Sequence, residues 1–193
     1  MKAFGLTTRI AAALLLAMTI SARAADAPTD PQIAHIAYTA GLTDIGYAEI
    51  ALRKSKNKAV REFATEMMKD HKAVNDKALA LVKKLGVTPE DNATSQTIAK
   101  QAADKRAELT GLSGAAFDRA YAQNEVAYHS FVNGAVETLL IPSASNGELK
   151  SLLQTGLKIF KGHQQHAEQM VGKVGAMAKG YKAAANKATS NKE

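Results

Sequence analysis

The chain has no cysteine, and that absence excludes a good deal. A disulfide framework, a thiolate metal site, covalently attached c-type haem and a lipid anchor on a terminal cysteine all require a thiol. Tryptophan is missing too, and aromatic residues make up only 5% of the 193 positions. No basic stripe interleaved with aromatics therefore exists to stack on bases, and nucleic acid is not an expected partner. Strand signals are lacking as well, since β-branched and aromatic residues nowhere alternate over a useful length.

Long apolar runs are also scarce. Ile10 to Ile20 is apolar for about 11 residues, against the roughly 20 needed to span a bilayer. Lys2 and Arg9 precede it and Ala22-Arg23-Ala24 follows, the order of charge, apolar stretch and small-residue cleavage site that marks a secretory signal. Residues 1–24 are thus expected to be a signal peptide cut before Ala25. The expected location is periplasmic or secreted, with no transmembrane anchor after cleavage. Lys2, Arg9 and Arg23 account for part of the formal charge of +7.

What is present is helical periodicity. Tyr38, Leu42, Ile45, Glu49 and Leu52 are spaced by alternating fours and threes, which aligns them on one face of a helix over about 31–54. Val60, Ala64, Met67, His71, Val74, Ala78, Leu81 and Leu85 do the same over 58–85, where Gly86 and Pro89 stop the helix. Phe117, Tyr121, Glu125, Tyr128, Val132, Val136 and Leu139 mark a third helix over 114–140, closed by Pro142 and the polar residues after it. Leu149, Leu152, Gly156, Phe160, His163, Ala167 and Met170 mark a fourth over 148–174.

Short connections make each outer pair of helices an antiparallel hairpin. Between the hairpins lies Val87 to Ser113, with a weaker Ala-rich helix over Ser95 to Leu109. A connection that long can run the length of a bundle, which is the ferritin-like crossover arrangement. The expected fold is all-α: a four-helix bundle domain over 25–172, followed by a basic low-complexity tail over 173–193. That tail is a solvated end, with weak attraction to an anionic envelope surface as its other reading.

Each long helix carries an ionisable side chain on its apolar stripe: Glu49, His71, Glu125 and His163, with His129 one turn beyond Glu125. Burying unpaired charge costs several kcal/mol, so these groups are expected to meet one another, a ligand or a metal. Glu49, Glu125 and His163 are expected near one level, with His71 and His129 a turn or two away. Histidine with carboxylate suits zinc, iron, manganese or copper. The di-iron carboxylate pattern needs Glu-x-x-His, and here Met68 and Phe160 stand three residues before His71 and His163. That argues against a ferroxidase. Two alternatives stay open: a His–Glu hydrogen-bond network that only fixes packing, and a b-type haem or small ligand held by Met67, His71 or His163. His35 reads as a surface residue, Asp70 as solvent-facing or a partner to a ligand, and Asp118 as a helix-start or surface group.

The pieces Met67-Met68-Lys69-Asp70-His71 and Gly114-Ala115-Ala116-Phe117-Asp118-Arg119-Ala120-Tyr121 resemble an exported bacterial family, the domain of unknown function 4142. The likeness covers about Pro31 to Val171. It implies export and a ferritin-like bundle, and Glu49, Asp70-His71, His129 and His163 stand where the family motif has such residues. The family carries no agreed activity, and its Leu-Pro before the last histidine is Leu157-Lys158 here. The expected function is a periplasmic metal-binding protein serving envelope stress tolerance. The alternative is a structural or interaction module of the envelope. Enzymatic activity is the weakest expectation, because no nucleophile–base pair is visible.

Overall fold

The computed structural model describes residues 27–190, and the expected signal peptide lies outside them. Those residues form helices α1 (Asp30–Lys54), α2 (Lys58–Leu85), α3 (Ala93–Gly111), α4 (Gly114–Ala135), a short α5 (Ile141–Ser143) and α6 (Gly147–Ser190). A π-helical turn, Val136–Leu140, separates α4 from α5. Among the described residues there is no strand, and no helix is long and apolar enough to cross a membrane.

Local chemistry sets these boundaries. Thr29 and Gln32 cap α1 reciprocally, with Pro31 in the first turn where its missing N–H costs nothing. The Asn57 side chain accepts from the Ala59 N–H at the start of α2, and Gly86 ends that helix at φ 64°, a conformation other residues resist. Asn92 caps α3, and the Asn146 carboxamide oxygen accepts from Glu148 and Leu149 at the start of α6.

α1 packs on α2, α2 on α6, α6 on α4 and α4 on α1, while α3 lies along α1. Contacts between helix ends fix the directions. The Asp30 carboxylate accepts from the backbone N–H groups of Ser145 and Asn146, both at 2.9 Å, tying the start of α1 to the start of α6. At the opposite end Ser55 donates to Asp118 at 2.6 Å, so the end of α1 meets the start of α4. Lys84 near the end of α2 reaches Glu148 at 2.6 Å. Two antiparallel hairpins joined by the long α3 segment satisfy all three ties.

Two details depart from periodicity. In α1 the buried face is Ile33, Ala40, Gly41, Asp44, Tyr47, Ala48 and Ala51, whereas Leu42 is 47% exposed and Glu49 is exposed. α1 touches three other helices, so apolar residues cover most of its circumference and the pattern does not single out one face. In the third long helix the stripe passes from Val136 to Leu140, leaving Leu139 half exposed. The π turn supplies the shift: Ile141 N–H bonds back to the Val136 carbonyl, five residues earlier, which adds one residue to the turn. The basic tail continues α6 as helix through Ser190 with no break near residue 173.

Candidate metal centre

Half-way along the bundle the packed apolar side chains give way to polar ones. Asp44 from α1, His71 from α2, Glu125 and His129 from α4, and His163 from α6 are all buried, none more than 3% exposed. The ring centroids of His71, His129 and His163 lie 5.3–5.8 Å apart. One nitrogen from each ring can be chosen so that all three fall within 4.8 Å of one another, and the same holds for ligand atoms of Asp44, Glu125 and His129.

The surrounding helices hold the rings in place. Phe160 stacks on His71 with centroids 4.7 Å apart and planes 7° off parallel. Phe63 meets His129 edge-on, as does Tyr128. Tyr128 is anchored in turn by donating its hydroxyl to the Ala40 carbonyl at 2.8 Å.

Hydrogen-bond directions decide which ring atoms are free. Nδ1 of His129 stands 3.0 Å from the Glu125 backbone carbonyl, which can only accept, so Nδ1 carries the proton. In the neutral ring the lone pair is then on Nε2, and Nε2 faces Asp44 Oδ2 at 3.3 Å. His71 Nε2 lies 2.7 Å from that same oxygen without the alignment of a hydrogen bond. His163 Nε2 donates to Asp70 Oδ2 at 3.1 Å, leaving Nδ1 unpartnered. Both carboxylate oxygens of Asp44 and of Glu125 also lack a hydrogen-bond partner, although fully buried.

Burial and mutual charge sort these groups. Desolvation pushes Asp44 upward, but His71 and His129 beside it more than offset this and hold it at about 2. Burial raises Glu125 well above the usual carboxyl range, and the neighbouring Asp44 charge adds to the rise. Burial lowers His129 and His163 despite the nearby carboxylates, favouring their neutral rings. These surroundings thus favour the charged form at Asp44 alone among the four groups, and the neutral forms of Glu125, His129 and His163.

The raised Glu125 has a testable consequence in metal-free protein. A carboxyl whose folded value is raised contributes stability below its unfolded value, near 4.5, and loses it as pH rises toward the folded value. Glu125→Gln keeps the shape and removes the titration. Denaturation in chelator should show the variant more stable than wild type at pH 7 by more than about 1 kcal/mol, with the gain vanishing near pH 4. His129 and His163, lowered on folding, act in the opposite sense and cost both proteins stability below about 6.5.

Of the five residues expected from sequence, the structure brings four together and excludes Glu49. That side chain is half exposed, 3.8 Å from Arg53 one turn on, because it lies on the outer face of α1. Asp44, five residues earlier, occupies the interior instead. The levels differ from expectation too: His71, His129 and His163 are grouped, with Glu125 a turn further along. Asp44 shares its face with Ala40, Gly41, Ala48 and Ala51, and an acid within a stripe of small residues was the available signal. Outside the core, His166 pairs with Glu66 at 2.6 Å, and Glu66, Asp70 and His163 form a third potential ligand group. His35 sits 3.5 Å from Asp91 near the start of α1.

These buried groups could hold a metal ion. A haem is another matter. The cavity beside the histidines measures about 60 Å³, far below the roughly 300 Å³ at which ordinary ligand pockets begin, and the packed helices leave no space for a macrocycle.

The family described as domain of unknown function (DUF4142) matches residues 16–170 of the chain. No curated protein and no solved structure matches the chain.

Proposed function

The chain belongs to the DUF4142 family, a description that assigns no activity, and from the chemistry of its core we propose that it is an exported, ferritin-like metal-binding protein of the periplasm. His71, His129, His163 and Asp44 are the ligands, and Glu125 supplies a further carboxylate once the ion displaces its proton. The observation that carries this reading is the convergence of imidazole nitrogens from His71, His129 and His163 with carboxylate oxygens of Asp44 and Glu125 that are fully buried and have no hydrogen-bond partner. Buried acceptor atoms left without a donor are costly unless a positive charge lies among them. Three imidazoles with carboxylate suit zinc, iron, manganese or copper. Asp70 and the Glu125 backbone carbonyl orient two of the rings, as the outer partners of metal-bound histidines do. Binding and release of such an ion in the envelope is the service to stress tolerance that the reading implies.

The 2.7 Å approach of His71 to Asp44 favours a second reading, in which the two side chains pair with each other and the network only fixes packing. Metal analysis separates the two. Untagged protein purified from the periplasm should carry close to one ion per chain, and the His71→Ala/His163→Ala variant almost none. Traces of metal in both, with melting indifferent to chelator, would leave only the packing role.

A further inference from the structure

The cavity of about 60 Å³ lies between α1, α2, α4 and α6, toward the end where α1 begins. Its walls are mainly apolar, with Ile36, Val132, Val136, Leu149, Leu153 and Phe160 among them. Four polar side chains line it: His71 and His129 at the metal-centre end, Tyr128, whose hydroxyl proton is already given to the Ala40 carbonyl, and Asn75, one turn of α2 beyond His71. Asn75 is 5% exposed, and its buried amide nitrogen has no hydrogen-bond partner.

The other buried asparagine, Asn133, donates to the Phe160 carbonyl at 3.3 Å and the Gln164 side chain at 3.0 Å. A buried amide donor left without an acceptor is destabilising, a cost that a bound acceptor removes. The backbone opposite is shaped for this amide. A Cβ on Gly41 would stand 2.3 Å from Asn75 Oδ1, so only glycine lets the carboxamide lie against α1.

We propose that this chamber binds a small, uncharged, largely apolar molecule with one hydrogen-bond acceptor, which the Asn75 amide holds beside His71 and His129. The volume admits roughly four small heavy atoms, taking the ~15 Å³ that one water-sized sphere occupies as the measure. Apolar walls disfavour water, which needs two to four polar partners to stay. A charged ligand would meet the same walls at far greater cost. The proposal deepens the metal reading by naming what meets the ion, and rests on it only for that second contact.

Two isosteric probes test it: acetonitrile, which has an acceptor nitrogen, and propyne, which has none. Each is titrated into the full chain while the methyl resonances of Ile36, Val132 and Leu153 and the side-chain amide of Asn75 are followed by NMR. Zinc-loaded and chelator-treated samples are run in parallel. Both probes should move the methyls, acetonitrile alone should shift the Asn75 amide strongly, and Ala78→Leu, which fills the chamber, should abolish both responses. In Asn75→Ala the affinity ratio of acetonitrile to propyne should fall about three- to tenfold, the equivalent of one net hydrogen bond. Methyls indifferent to both probes, or an Asn75 amide that responds equally to both in wild type, would overturn the proposal without recourse to any variant. Probe binding to a chain with no affinity for zinc would keep the chamber and sink the metal reading; zinc binding with silent methyls would do the reverse.

Discussion

Removal of the proposed ion should lower the melting temperature by about 8 to 16 °C. A ligand present at a thousand times its Kd stabilises the folded state by about 4 kcal/mol, and a chain of this size gains about 2–4 °C per kcal/mol. The proposed ligands come from α1, α2, α4 and α6, so an ion held by them would tie together the four helices that unfolding separates. Calorimetry with and without chelator reads the difference, and re-adding zinc or iron should restore it. His71→Ala should melt at the chelated temperature under both conditions. An equal melting point for loaded and stripped wild type would remove the ion from the account of the fold.

The second large effect separates two acids on the same helix. Asp44→Asn should weaken metal binding at least about a hundredfold, because a fully buried carboxylate beside the ion contributes about 3 kcal/mol or more. Glu49→Gln should leave affinity unchanged within about twofold, since the Glu49 charge sits in solvent beside Arg53. Competition against a chromophoric chelator measures both. A loss of affinity in the Glu49 variant that matched the Asp44 variant would contradict the assignment.

That pair of residues also marks how far the sequence can be read. The hydrophobic periods of α2 and α6 placed His71 and His163 inside, because each helix buries one clear stripe opposite a charged face. α1 offered no such contrast: wedged among three neighbours, it carries isoleucines and alanines on most sides. Counting by fours and threes from Tyr38 then led to Glu49, although the core lies along the small residues from Gly41 to Ala51. The α4 period held as far as Val136 and failed at Leu139, since a single π turn leaves no mark in composition. Asn75 escaped notice for a different reason: a lone asparagine near a helix centre looks solvent-exposed until Gly41 is known to lie against it. The hairpins and the long α3 connection were legible because glycine, proline and asparagine mark their ends.

The depth of the histidines carries a kinetic consequence. Asp44, His71, Glu125, His129 and His163 are sealed beneath four helices, so nothing as large as a hydrated cation can pass between the closed rods. Exchange has to wait for the bundle to part, and residence time is then governed by the rate of that opening more than by the strength of the bonds. On the proposed reading a chain takes up its ion before the bundle closes and releases it only when the helices part again, so exchange follows the opening rate.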